Sequence, residues 1–257
     1  MITSGQNPKI KDLMLLETKS RERKARGLFV VEGLREYERA CAAGFETVAL
    51  FVRDGVVLPP GLPEPDFIVS AEVYEKIAMR GGTEGVVAEM RVRETSLDSL
   101  SMSRSPLVLV LESVEKPGNL GAVLRSADAA GIDAVLVCDP LTDIYNPNVV
   151  RASLGAVFSV PVACCTSEEA YAWLSRREIS ILTAQLQDSS LYYDVDMVRP
   201  TAIVFGTEDK GLSSFWRERA DAHIRIPMAG AMDSLNVSVS AAILAFEAVR
   251  QRNIKKP

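Results

Sequence analysis

Asn119 and Arg125 stand six residues apart in the segment Glu112-Ser113-Val114-Glu115-Lys116-Pro117-Gly118-Asn119-Leu120-Gly121-Ala122-Val123-Leu124-Arg125. On a helix, that spacing puts the amide at the mouth and the guanidinium nearly two turns along the body. An arginine among Leu124, Ala127 and Ala130 either snorkels to water or meets an anionic partner. Gly118 and Gly121 open the helix just beyond an apolar strand, where backbone N–H groups can face an anion. Gly-x-x-Gly is nevertheless neither GxGxxG nor a P-loop. Capping by Asn119 and snorkelling by Arg125 explain the pair as well as a ligand does.

Two further segments carry polar groups where packing alone does not ask for them. In Thr201-Ala202-Ile203-Val204-Phe205-Gly206-Thr207-Glu208-Asp209-Lys210-Gly211-Leu212-Ser213, an apolar strand ends at Gly206 and a Glu-containing turn closes at Gly211. Ligands of open α/β sheets bind at such strand ends, although an ordinary turn with Ser213 or Ser214 as N-cap fits too. In the third segment, a strand ending at Ile226-Pro227 is followed by Met228 and a small-residue loop. A helix then begins with Ser234, Asn236, Ser238 and Ser240. Capping accounts for one or two of these; the others ask for a ligand or a buried network.

The elements that must position these residues alternate. Leu107–Leu111, Ala134–Cys138, Ile179–Ala184 and Ala202–Phe205 are continuous apolar runs, as expected of parallel strands buried on both faces. Helical patterns fall near 119–130, 148–158 and 168–177. A closing helix over Ser234 to Arg252 carries the stripe Leu235, Val239, Ala242, Phe246 and Val249. These predict an α/β domain with a parallel sheet over 106–257. A serine-rich linker, 96–105, separates it from a smaller α/β module over 1–95. That module has a polar helix over Lys9 to Lys24 and strands at 28–32, 47–52 and 86–90. Its helices are expected over 34–43 and 71–79, the latter capped by Ser70, and Gly81-Gly82-Thr83 turns into the last strand.

Composition narrows the chemistry. A single histidine, His223, excludes multi-histidine metal sites and leaves at most one imidazole base. Cys41, Cys138, Cys164 and Cys165 show no CxxC spacing, so they read as reduced thiols. No apolar segment reads as a signal peptide or bilayer span, and a cytoplasmic soluble protein without a membrane partner is expected. The net charge of −5 denies whole-chain attraction to nucleic acid. One local run opposes it: Lys19-Ser20-Arg21-Glu22-Arg23-Lys24-Ala25-Arg26 holds five cations and one anion. Lys19, Arg21, Arg23, Lys24 and Arg26 could therefore neutralise several phosphates of a nucleic acid, with a solvated helix face as the plainer reading.

In order and spacing, three patterns resemble the motifs of the SpoU/TrmH family. They are Asn119-x-Gly121-x-x-x-Arg125, then Gly206-x-Glu208-x-x-Gly211-Leu212-Ser213, then Ile226-Pro227-Met228 running into Ser234-Leu235-Asn236-Val237-Ser238-Val239. That family comprises RNA ribose 2′-O-methyltransferases of the SPOUT superfamily. Ser4 to Asp12 with Gly27-Leu28-Phe29-Val30-Val31-Glu32-Gly33 likewise resembles the family's substrate-binding domain, which is similar to a ribosomal RNA-binding protein fold.

The resemblance implies a trefoil-knotted second domain, a homodimer, S-adenosyl-L-methionine as cofactor and no metal. It assigns catalysis to Arg125, Asn119, Glu208, Ser234 and Asn236, and cofactor binding to Gly206, Thr207, Gly211, Ile226, Met228 and Leu235. Lys116 departs from the pattern, standing where an acidic residue often precedes Pro-Gly-Asn. The implied substrate is structured RNA, 23S rRNA foremost. A tRNA methyltransferase and a non-catalytic RNA-binding member of the fold are the alternatives. A Rossmann-type enzyme is disfavoured by the missing GxGxxG and by the basic segment.

Overall fold

Pro8 opens the first helix, α1 (Pro8–Thr18), because the N–H it lacks has no partner at a helix start. Asn7 caps the helix by accepting from the Lys9 N–H at 2.9 Å. The computed structural model describes residues 1–79, 84–207 and 209–254. The single polar helix expected over Lys9 to Lys24 is two. Lys19 is extended (φ −117°, ψ 104°) and separates α1 from α2 (Ser20–Arg26), which Gly27 ends at φ 62°. Arg23 explains the break: its Nη1 donates to the Leu16 and Glu17 carbonyls at 2.6 and 3.1 Å. A continuous helix would have paired those carbonyls with the amides of residues 20 and 21.

Next come β1 (Leu28–Glu32), α3 (Leu34–Ala42), β2 (Thr47–Arg53), β3 (Phe67–Val69), α4 (Ala71–Ile77) and β4 (Val86–Arg91). Ser70 caps α4 by accepting from the Val73 N–H at 3.3 Å. The sheet order is β1–β4–β2–β3, with β2–β3 parallel and the other pairs antiparallel. β3, at three residues, is too short to show a sequence period. The expected turn at Gly81-Gly82-Thr83 lies outside the described residues.

From Leu107 the chain runs through β5 (Leu107–Glu112), α5 (Pro117–Ala130), β6 (Ala134–Cys138), α6 (Pro147–Ala152), β7 (Val162–Cys165) and α7 (Ser167–Arg176). It continues through β8 (Ser180–Ala184), β9 (Ser190–Leu191), β10 (Thr201–Phe205), α8 (Ser214–Arg219), β11 (Ala222–Arg225) and α9 (Val237–Ile254). These strands form one parallel sheet in the order β7–β6–β5–β10–β8–β11–β9. Every residue of β5, β6 and β10 is buried, which is why these strands read as unbroken apolar runs. The helix expected over 148–158 stops at Ala152; Gly155 at φ 80° then leads into a 3-10 turn over Ala156–Phe158.

Contacts divide the chain into two units, Met1–Arg93 with Asp143–Ser159, and Glu94–Thr142 with the chain from Val160 onward. Within the first unit, Tyr145 stacks on Phe29 at 4.5 Å and Phe158 meets Phe45 at 5.1 Å. An ion pair, Arg23 Nε to Asp143 at 2.6 Å, joins the same pieces. In the second unit, the face of α9 that packs is not the expected stripe. Ala241, Leu244, Ala245 and Ala248 are buried, whereas Leu235, Val239 and Phe246 are 41%, 46% and 48% exposed. The helix is apolar on two sides, and the bulkier side stays open. Among the described residues, no helix is long and apolar enough to cross a membrane.

Candidate functional site

Parallel strands deliver their carboxyl ends to one edge, and the loops after β5, β10 and β11 all leave from it. β5 and β10 are direct neighbours, with Leu111 opposite Phe205; β11 lies one strand further, beyond β8. Sheet order thus gathers three segments that are far apart in sequence.

After β5, Glu112 is buried and Ser113 takes a left-handed conformation (φ 51°), turning the chain into α5 with Pro117 in its first turn. Lys116 occupies the N-cap position and makes no side-chain capping hydrogen bond there, so Asn119 is not the capping residue of α5. It sits inside the first turn of α5, where its Oδ1 accepts from Asn236 Nδ2 at 3.2 Å. Asn236 caps α9: its Oδ1 accepts from the Ser238 N–H at 2.9 Å and from Ser238 Oγ at 2.6 Å. One amide therefore organises the helix start and also reaches the first motif.

The middle loop is tight. Thr207 and Gly211 exchange backbone hydrogen bonds at 3.1 and 3.0 Å, and Lys210 N–H donates to Thr207 Oγ1 at 3.1 Å. Gly206 has no room for a side chain, since a Cβ there would lie 2.2–2.3 Å from the backbone of Gly211 and Leu212. Gly211 adopts φ 66°, which favours glycine. Ser213 ends the loop by donating its N–H and its Oγ to the two Glu112 oxygens, at 2.9 and 2.5 Å. Ser213 does stand at the N-cap of α8, but its hydroxyl is committed to Glu112 and not to the helix.

Two open cavities of about 580 and 490 Å³ flank this loop, and Gly206, Thr207, Lys210 and Gly211 line both. Gly206, Thr207, Gly211, Ile226, Met228 and Leu235 all line the larger, together with Ser234 and Asn236. Asn119, Lys116 and Glu112 line the smaller. The larger one suits S-adenosyl-L-methionine in size and chemistry. Phe205, Val237 and Leu244 supply apolar surface, irregular backbone at 226–228 supplies main-chain groups, and Asp209, Asp233, Lys210 and Arg217 supply charges of both signs for a zwitterionic end. Among the described residues, no group of three or more His, Cys, Asp or Glu side chains is placed to hold a metal ion.

One expected site residue stands apart. Arg125 is exposed on α5 and lines neither cavity. Glu208 lies outside the described residues. In the basic run of the first unit, Lys19, Arg21, Lys24 and Arg26 are exposed, and Arg26 is ion-paired to Glu22 at 3.1 Å and to Asp12 at 3.5 Å. Arg23 must be removed from the RNA-binding candidates. It is 3% exposed, and its guanidinium is engaged by Asp143 and two carbonyls. Glu112 and Arg217 join the site without having been expected there. A carboxylate ending an otherwise apolar strand is the signal that singles out Glu112; nothing in the local pattern marks Arg217.

A model of the SpoU rRNA Methylase family matches residues 106–246, and one of the MRM3-like substrate binding domain matches residues 7–88. The 23S rRNA (guanosine(2553)-2′-O)-methyltransferase RlmP of Bacillus subtilis is 29% identical, over 95% of this chain and 97% of its own. A crystal structure of an RNA 2′-O ribose methyltransferase is 41% identical and superposes with a TM-score of 0.86, covering 98% of this chain and 99% of the other. The SpoU methyltransferase AviRb from Streptomyces viridochromogenes, crystallised with AdoMet, is 28% identical with a TM-score of 0.87, covering 96% of this chain and all of the other.

Proposed function

Because this chain belongs to the SpoU rRNA Methylase family, we infer that it transfers a methyl group from S-adenosyl-L-methionine to a ribose 2′-hydroxyl of ribosomal RNA. The observation that carries this reading is the Asn119–Asn236 hydrogen bond, which closes two motifs 117 residues apart over one pair of cavities. When bound, the donor supplies a methyl group on a sulfonium, open to in-line attack by an oxygen. The chain's own part is to seat the acceptor and manage one proton.

A ribose hydroxyl is a poor nucleophile at neutral pH, so its oxygen needs help to lose the proton or to carry developing charge. No imidazole lines either cavity. Arg125 takes this role by stabilising the developing alkoxide while the ribose proton passes to water in the open cavity, since a guanidinium keeps its own proton and makes a poor base. Asn119 and Asn236 hold the acceptor side in register, and Ser234 shapes the loop. Gly206, Thr207, Gly211, Ile226, Met228 and Leu235 hold the donor through backbone and apolar contacts.

Arg125 stands outside both cavities of its own chain, so its role calls for a second copy. The exposed Leu235, Val239 and Phe246 offer the apolar face through which a two-fold dimer forms. The same reading includes the trefoil knot in the second unit, in which non-consecutive strands are neighbours and α9 returns to pack on α5, β5 and β10. It also includes 23S rRNA as substrate, cytoplasmic location beside the ribosome, and phosphate contacts from Lys19, Arg21, Lys24 and Arg26. Mapping 2′-O-methyl positions in rRNA from cells with and without the gene tests the function. One position should lose its mark in the deletion and regain it on complementation; an unchanged map overturns the reading.

A further inference from the structure

We propose that Arg217 binds the carboxylate at the amino-acid end of the methyl donor, an inference that rests on the donor reading above. Arg217 projects from α8 into the lining of the larger cavity. Its Nε is buried and has no hydrogen-bond partner. Among the described residues, no ion pair involves it. A guanidinium keeps its proton and presents five N–H donors, so the buried Nε–H of half-buried Arg217, left without a partner, is a standing cost that an incoming acceptor relieves.

The surroundings say which acceptor. A Cβ on Gly211 would come to 3.4 Å from Arg217 Nη2, so the bare glycine leaves that end of the fork clear. Of the other cations lining the cavity, Arg225 is already hydrogen-bonded to the Ser189 carbonyl and hydroxyl, and Lys210 is exposed. Asp209 and Asp233 line the same cavity and suit the donor's ammonium. The sulfonium repels a guanidinium, and the carboxylate is the donor's sole anionic group. A planar fork matches a carboxylate with two parallel bonds, which a lysine cannot do.

Calorimetric titration of the full-length protein with two ligands tests this: S-adenosyl-L-methionine and its decarboxylated form, which lacks the carboxylate alone. Wild type should bind the intact donor about tenfold to a hundredfold more tightly than the decarboxylated one. In Arg217→Met that preference should vanish, with affinity for the decarboxylated ligand unchanged; Arg217→Lys should keep part of it. Equal weakening of both ligands in Arg217→Met gives the residue a structural role and overturns the proposal. So does a wild type that binds both equally, an outcome independent of how any variant folds. A wild type that binds neither ligand overturns the donor reading itself.

Discussion

Glu112, the last residue of the interior strand β5, holds Ser213 with both carboxylate oxygens, at 2.9 Å to the N–H and 2.5 Å to the hydroxyl. The two residues are 101 positions apart and fasten the exit of the 206–213 loop to the strand beside it. Such charge-assisted bonds contribute about 1.5–3 kcal/mol each when largely desolvated. Glu112 is therefore a positioning residue. Glu112→Gln should weaken donor binding about tenfold by calorimetry, through a loosened Gly211–Ser213 segment, at a modest loss in Tm. Ser213→Ala should do the same to a smaller degree, and the double variant should add little. Additive losses would mean that the two residues act separately.

Arg125 invites a test in trans. Arg125→Ala should abolish methyl transfer with nearly unchanged donor affinity, because it lines neither cavity of its own chain. Gly206→Val should abolish donor binding, since a side chain there strikes the Gly211 backbone. Mixed after co-expression, the two dead variants should recover activity to about a quarter of wild type, the share expected of randomly paired dimers with one intact site. An inactive mixture, shown by tags to contain heterodimer, places Arg125 with its own cavity.

The basic run of the first unit needs its membership corrected before it is tested. Lys19, Arg21 and Lys24 are exposed cations, whereas Arg23 is a buried structural pin. Replacing Lys19, Arg21 and Lys24 by Ala, with the exposed but ion-paired Arg26 left in place, should weaken RNA binding and lower its salt slope by about two to three units, leaving donor affinity intact. Arg23→Ala should instead lower Tm, because it removes the counter-ion of Asp143 and frees two carbonyls. A triple variant with an unchanged salt slope sinks the patch.

Arg23 also marks where sequence stops being informative: a charge run has no local sign of which member a distant carboxylate will claim. Buried strands such as β5 and β10 are legible because both faces demand apolar residues, and Gly206 and Gly211 because only glycine fits there. Asn119 has two local explanations; the N-cap at Lys116 removes one, and the bond from Asn236, 117 residues on, supplies the role that no local pattern shows. The stripe on α9 is legible as apolar, but which face of a helix apolar on two sides meets the sheet is a tertiary matter. Glu112 and Ser213 are unremarkable alone; their pairing follows from strand order, which periodicity does not contain.

Glu17 couples stability to pH. Burial, reinforced by the nearby Glu32 carboxylate, pushes its carboxyl up to about 8, and one of its oxygens is buried without a hydrogen-bond partner. In the unfolded chain the same carboxyl titrates near its ordinary value of 4.5. Between those two values the folded state holds a proton that the unfolded state has released. Stability must therefore fall as pH rises through that window, and the slope must end once folded Glu17 has ionised. Glu17→Gln keeps a neutral side chain of the same shape and removes the ionisation. It should match wild type near pH 4.5 and then gain on it steadily. The gain should reach about 1–3 kcal/mol by roughly pH 9, less than the full linkage of about 1.4 kcal/mol per pH step because solvent screens a group that is not wholly buried. Urea unfolding followed from about pH 5 to 9 reads this directly: parallel curves for the two proteins would show that Glu17 is ionised in both states throughout.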